Sequence, residues 1–304
     1  MTTQPDAKTP LVAIVGPTAS GKTRVAVELA LRTGAEVVSA DSMQLYRGMD
    51  IGTAKPGLEE RRGIPHHLID VADPDDPFDA RRYALAADEA IAAIRSRGRP
   101  VVLVGGTGLY VRALLRGLAP APGADQELRT RLRALASTEG RAAVHRLVAQ
   151  VDPQAAARIS PNDLVRMERA LEAAASGRAL SSLQRDHGFS TPRYDAMLIA
   201  LDVPSPALAD RIEARARRMF EAGFVDEVAR LVGRYGAGLG TLRAVGYRQI
   251  VEGGSLEEVA RATRRYAKRQ RTWFRSEPKT EWHHPEDLPW NRMLSHLFKL
   301  NGMG

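Results

Sequence analysis

Gly16-Pro17-Thr18-Ala19-Ser20-Gly21-Lys22-Thr23 follows the short apolar run Leu11 to Val15 and precedes a stretch in which Val25, Val27, Leu29 and Ala30 recur at helical spacing. The octet matches the P-loop pattern in full, and it sits in the strand, glycine loop, helix order that the pattern requires. Glycines let such a loop curl until successive N–H groups and the helix N-terminus face an anion. Lys22 then neutralises phosphate charge, and the Thr23 hydroxyl is placed to ligate Mg²⁺. Gly16, Thr18, Ala19, Ser20, Gly21, Lys22 and Thr23 are therefore the candidate diphosphate-binding residues. The pattern serves nucleotide-binding and ATP-binding proteins alike, and it leaves open whether the phosphates belong to a nucleoside triphosphate or to another diphosphate ester.

Working outward, residues 36–40 form a second short strand that stops at Asp41. Residues 101–104 form a third that runs into Gly105, Gly106, Thr107 and Gly108 after a helix-like stretch at 80–96. Continuous apolar strands separated by helices predict an α/β core, a P-loop NTPase-like parallel sheet with helices on both faces. In such a sheet the C-terminal strand ends gather beside the phosphate loop, so Asp41 and Thr107 are candidates for chemistry as well as for turn formation. Between about 117 and 192 the pattern turns all-helical (126–136, 141–150, 163–175), bounded by Ala119-Pro120-Ala121-Pro122 and Thr191-Pro192. This predicts a helical insertion domain at 117–192 in a core made of 1–116 and 193–304. Residues 197–203 read as a further core strand, and the tail beyond about 275 carries no pattern that assigns it. His66 and His67 are adjacent after Pro65, without chelating helical spacing, and read as packing residues. Asp202 reads as a strand end that could imitate an acidic magnesium ligand.

The chain has 304 residues, 44 Lys+Arg against 36 Asp+Glu, and no cysteine. Zero thiols exclude a disulfide framework, a cysteine nucleophile and Cys-ligated zinc or iron–sulfur sites. The first ten residues lack a signal-peptide layout, and no apolar run approaches the roughly 20 residues of a membrane span. The composition predicts a soluble cytoplasmic protein with no membrane partner. Ser255 and Glu258 have capping-box spacing and open a helix reaching about residue 275. Its stripe of Leu256, Val259, Ala260, Tyr266, Ala267, Trp273 and Phe274 is apolar. Away from the stripe lie Arg261, Arg264, Arg265, Lys268, Arg269, Arg271 and Arg275, with no acidic residue between 261 and 275. Residues 205–275 hold 15 basic and 8 acidic side chains, nearly the whole chain's excess of +8. A solvated charged face is the usual reading of a basic helix, but seven cations without counter-charge repel one another and are better explained by nucleic-acid phosphates.

These pieces occur together in one family. The segments GPTASGKT (16–23), SADSMQLYRGMDIGTAKP (39–56), IPHHLID (64–70), LVGGTGLY (103–110), RAVGYR (243–248) and KRQRTWFR (268–275) closely resemble bacterial tRNA dimethylallyltransferases, in order, over nearly the whole chain. The resemblance implies transfer of a prenyl group from dimethylallyl diphosphate to the exocyclic N6 of the adenosine just 3′ of the tRNA anticodon, with release of diphosphate. It also implies Mg²⁺ as cofactor and Asp41, Thr107 and Lys22 as the catalytic set: Asp41 as base toward N6, Thr107 holding the diphosphate. Family tRNA contacts map onto Asp41, Ser42, Met43, Gln44 and Thr107, and onto Arg129, Val165, Arg166 and Arg169 in the insertion. They map further onto Arg243, Gly246, Tyr247 and Arg248, and onto Lys268, Arg269, Gln270, Trp273 and Arg275. The chain departs from many relatives at Val165, where they carry glutamine before the arginine. It also lacks the cysteine-bearing zinc-finger extension of eukaryotic relatives.

Three other readings use the same residues. A P-loop kinase or nucleic-acid-dependent NTPase would bind ATP in the cradle and use Asp41 or Asp202 for magnesium. An isopentenyltransferase acting on free adenine nucleotides would share the core but not need the insertion or the basic face. An RNA-binding module that only senses a nucleotide would not need Asp41 and Thr107 opposite the loop. One chain carries all the expected parts, which makes a monomer the simplest arrangement.

Overall fold

The computed structural model describes residues 9–299. The first third holds β1 (Pro10–Val15), α1 (Lys22–Thr33), β2 (Glu36–Ser39), the one-turn α2 (Leu58–Arg61), β3 (His66–His67), α3 (Ala80–Ser96), β4 (Val101–Gly105) and α4 (Gly108–Arg116). Five helices follow: α5 (Gln126–Thr138), α6 (Arg141–Val151), α7 (Pro153–Ala156), α8 (Leu164–Ala175) and α9 (Leu180–His187). The last third holds β5 (Asp195–Leu201), α10 (Ser205–Glu221), α11 (Phe224–Tyr235), a 3₁₀ turn at Gly240–Arg243, α12 (Tyr247–Val251), α13 (Leu256–Ser276), β6 (Thr280–His283) and α14 (Trp290–Phe298).

The six strands form one parallel sheet in the order β3-β2-β4-β1-β5-β6. Every residue of β1 is buried, as a central strand covered on both faces must be. Val12, Ile14, Val37, Val102, Val104, Ile199 and Leu201 join Val25 and Leu29 of α1 in the main core. Met293 and Leu297 of α14 complete that cluster, so the tail without a readable pattern seals part of the sheet. Its strand β6, Thr-Glu-Trp-His, lies at the sheet edge and is only half-buried throughout. An edge strand needs no continuous apolar run, which is why the sequence does not announce it.

The chain divides into two compact units: one reaches to Leu115 and resumes at Arg193, and the other is Arg116–Pro192. The smaller unit has its own core of Leu132, Val144, Val148, Ile159, Met167 and Leu171. Its helix α8 is capped by Asp163, whose side chain accepts from the Arg166 N–H. His67 and His66 do structural work in the larger unit: His67 Nε2 meets Glu36 at 2.7 Å, and His66 Nδ1 lies 2.9 Å from the Ile64 carbonyl.

Candidate active site

The phosphate loop closes β1 onto α1 at the C-terminal edge of the sheet. Gly16, Ala19 and Gly21 adopt φ of 130°, 62° and 93°, the alternation that turns successive amides to one side. Among the described residues, the N–H groups of Ala19, Ser20, Gly21, Lys22 and Thr23 donate to no protein acceptor. Five oriented donors at a helix N-terminus form an anion cradle. The Ser20 hydroxyl is fully buried in the same loop without a hydrogen-bond partner. Lys22 turns its ammonium back on the loop, donating to the Pro17 carbonyl at 2.6 Å. Burial, and then the neighbouring charge of Arg215, lower its pKa from 10.5 to about 7, while Asp41 acts in the opposite sense. A phosphate would reverse that balance by supplying the missing counter-charge.

Asp41 ends β2 beside this cradle. Its Oδ1 accepts from the Met43 N–H at 2.9 Å and the Gln44 N–H at 3.3 Å, an Asx turn, while its Oδ2 takes no hydrogen bond from the described residues. Thr107 ends β4 and ties the two strand-end loops together. Its Oγ1 accepts from the Ser42 N–H at 3.0 Å and donates to the Ser42 hydroxyl at 3.2 Å, and its own N–H donates to the Ala40 carbonyl at 3.1 Å. The structure thus brings Lys22, Asp41 and Thr107 to one edge. Serine and threonine hydroxyls at 20 and 23 are the hard oxygen donors that Mg²⁺ takes. No group of three or more carboxylate or histidine ligands exists among the described residues, so most of the ion's ligands would come from a diphosphate and water, which suits that ion.

Three residues of this site carry no motif that marks them in the sequence. Arg215, on α10, acts electrostatically on both Lys22 and Asp41, and its Nη2 donates to the Thr53 carbonyl at 3.2 Å. Its signal was the spacing Arg211, Arg215, Arg218 on a helix whose other face buries Leu208, Ile212 and Ala216. Tyr266 reaches Thr107 and Gln270, and burial followed by the Asp41 charge pushes its hydroxyl pKa well above the usual range. Glu227, buried on α11, accepts from the N–H groups of Asp50, Ile51 and Gly52 at 2.7–3.1 Å and so shapes the loop that receives Arg215.

Several expected tRNA contacts are placed otherwise. Tyr247 is 1% exposed and serves the Glu227 anchor, donating its hydroxyl to that carboxylate at 2.7 Å, while Gly246 beside it is buried with φ of 93° and its N–H donates to Gln249 Oε1 at 2.8 Å. Gln44 turns its amide inward, donating to the Thr53 and Ala54 carbonyls, both at 3.2 Å. Gln270 is 6% exposed and lies between the phosphate loop and Gly106. Trp273 packs on Gly108, where a Cβ would fall 2.1 Å from the indole, and Arg112 stacks on it at 4.3 Å. Their burial reflects a rule the periodicity could not express: polar and aromatic residues on the inner face of α13 fit the loops of the site rather than solvent.

Other residues do present surface. Arg243, Arg248, Lys268, Arg269 and Arg275 are exposed, while Ser42 and Met43 are half-buried in the Asp41 turn. Of the seven α13 cations, Arg271 is neutralised: it pairs with Asp202 at 3.4 Å and donates to the Val203 carbonyl. That pairing also gives Asp202 a structural partner. In the smaller unit Val165 is 64% exposed, and Arg166 beside it is exposed. Arg129 and Arg169 instead hold the buried Glu172, at 2.7 and 2.5 Å.

Residues 44–277 match the family model described as IPP transferase. The chain belongs to the IPP transferase family. A tRNA dimethylallyltransferase of Anaeromyxobacter dehalogenans (strain 2CP-C) is 52% identical over 280 residues, covering 90% of this chain and 94% of the relative. One from Geobacter sulfurreducens is 50% identical over 292 residues, with 93% and 94% covered. Among solved structures, the tRNA isopentenylpyrophosphate transferase of Bacillus halodurans superposes with a TM-score of 0.68 at 38% identity, covering 97% of this chain and 96% of that one. A eukaryotic dimethylallyltransferase described as acting on tRNA gives 0.72 at 27% identity, with 87% and 69% covered. The matched segment of this IPP transferase family member contains Arg215, Glu227, Tyr266 and Gln270, as well as Thr107 and Gln44, whose N–H donates to Asp41. No helix of the described residues is long and apolar enough to cross a membrane.

Proposed function

We propose that this chain transfers the dimethylallyl group of dimethylallyl diphosphate to N6 of the adenosine immediately 3′ of the tRNA anticodon. The observation that carries the reading is the meeting of a five-amide anion cradle with an uncommitted carboxylate oxygen of Asp41 at one sheet edge, in a chain of this family. The bond from the allylic carbon to the diphosphate oxygen breaks while N6 bonds to that carbon, and the N6 proton passes to Asp41. Charge grows on the departing diphosphate, where the amides of residues 19–23, Lys22 and Arg215 stabilise it. Mg²⁺, held by Thr23 with Ser20 nearby, would neutralise leaving-group charge when bound. N6 is a weak nucleophile because its lone pair is delocalised into the ring, and Oδ2 of Asp41 is the free acceptor that improves it. Thr107 fixes the Asp41 turn and the loop opposite, keeping donor and acceptor sides in register.

An adenine inside an anticodon loop must leave its stack to react, at a cost of a few kcal/mol that protein contacts offset. The exposed cations of α13, with Arg243 and Arg248, supply phosphate contacts for that purpose, and Val165 and Arg166 offer a second surface on the helical insertion. All invoked groups lie in one chain, so a monomer suffices.

Incubation with labelled dimethylallyl diphosphate, Mg²⁺ and unmodified tRNA, with and without ATP, tests the reading. Label enters tRNA in both tubes if it holds; ATP turnover with no labelled tRNA overturns it in favour of a P-loop kinase or NTPase.

A further inference from the structure

The six amides from Thr18 to Thr23 are not equivalent. Those of residues 19–23 are free, whereas the Thr18 N–H, the outermost on the strand side of the loop, donates to Oε1 of Gln270 at 2.8 Å. The other end of the same side chain is also engaged, Nε2 donating to the Gly106 carbonyl at 2.9 Å. Gln270 is therefore held at both ends and nearly excluded from solvent. Gly106 is part of the arrangement, because a Cβ there would lie 2.2 Å from Gln270 Nε2.

We propose that Gln270 is a specificity-determining residue that limits the phosphate cradle to a chain of two phosphates. An amide oxygen standing against the Thr18 N–H takes the donor that a further phosphate would use, and it presents lone pairs to the approaching anion. Lys22, folded back onto the Pro17 carbonyl, leaves the same end of the loop without an extended cation. Free donors remain only from Ala19 inward to the helix. In a P-loop that serves nucleoside triphosphates the loop amides cradle the inner phosphates and the lysine reaches on toward the terminal one; here that reach is shortened from within. The inference deepens the prenyl-transfer reading and rests on it for the organic part of the substrate, which carries two phosphates.

Charge alone gives the opposite order. Beside Lys22 and Arg215, the longer and more highly charged anion should bind more tightly. A preference for the shorter one requires a geometric stop.

Titration calorimetry of the full chain with inorganic pyrophosphate and with tripolyphosphate, without added metal, measures that order directly. The unaltered chain should favour pyrophosphate by about tenfold or more, the effect of one charge-assisted hydrogen bond. Gln270→Ala should erase or invert the preference. Gly106→Ala should do the same by displacing the amide, and it supplies the measurement if Gln270→Ala does not fold. Tripolyphosphate binding as tightly as pyrophosphate in the unaltered chain, or an unchanged ratio in a folded variant, overturns the proposal. The ratios are read without tRNA or prenyl donor. Loss of the functional reading would therefore leave them standing, and unchanged ratios in a chain that still prenylates tRNA would remove the role of Gln270 alone.

Discussion

The Asp41 carboxylate divides its two oxygens, one holding the Met43 and Gln44 amides and the other left without a partner among the described residues. The same residue is a turn former and, in the proposed reaction, the base, and substitution can separate the two roles. Asp41→Asn keeps an oxygen for the turn but cannot take a proton, so prenyl transfer should fall by roughly 10²–10⁴ while tRNA binding shifts by less than about tenfold. Measured transfer rates and tRNA affinities that fall together would make Asp41 structural only. Lys22 gives a second expectation at this scale through its pKa of about 7. Below that pH the ammonium is already charged. Above it the free protein carries a neutral amine, and binding an anion raises the pKa and draws in a proton. Pyrophosphate affinity should therefore weaken as pH rises from 7 to 9, with proton uptake visible in calorimetry across buffers of different ionisation heat. Lys22→Met should remove the uptake that remains after the anion's own ionisation is subtracted. Equal uptake in the variant would place the titration elsewhere.

Helix α13 shows at the scale of one element why part of the site was legible and part was not. Its capping box, its length and its outer cations follow from local rules: Ser255 accepts from the Glu258 N–H, and the helix closes at Ser276. Its inner face does not follow. Tyr266, Gln270 and Trp273 look like two stripe members and one surface polar residue, yet they are the fittings between the helix and the two glycine loops. Which loop a helix meets is decided by residues far away in the chain, and no spacing rule within the helix carries it. The P-loop was readable because the strand, turn and helix that form the cradle are contiguous; Arg215 was not, because its role exists only once α10 stands beside Asp41 and Lys22. The strands β1, β2, β4 and β5 were visible as buried apolar runs, while the two edge strands, half solvated, were not. On the outer face, replacing Arg264, Arg265 and Lys268 by Ala should weaken tRNA binding and flatten its logarithmic salt slope, by roughly 0.7–0.9 for each phosphate no longer neutralised. Arg271, tied to Asp202, is not part of that set. An unchanged slope would mean that the face is only hydrated.

For the molecule as a whole, the excess of +8 is concentrated rather than spread, with +7 of it in residues 205–275 of the larger unit. That placement puts the polyanion-binding capacity in the unit that also holds the phosphate cradle. The smaller unit spends its arginines differently: Arg129, Arg133 and Arg169 neutralise the buried Glu168 and Glu172. Burial opposes the ionisation of Glu172, but hydrogen bonds from Arg129, the Asp125 N–H and Arg169 outweigh it and hold its pKa below the usual carboxylate value. The insertion is thus braced by charge within itself, and Val165 and Arg166 are exposed on it. In the proposed reaction cradle, carboxylate and basic face converge on one atom, the exocyclic N6 that accepts the allylic carbon. The decisive measurement digests tRNA treated with the chain and dimethylallyl diphosphate to nucleosides and locates the adduct by fragment mass spectrometry. Dimethylallyl should be found on N6 of the adenosine just 3′ of the anticodon, strongly reduced with Asp41→Asn. An adduct at another atom or nucleotide, or none while ATP is consumed, would contradict prenyl transfer at this site.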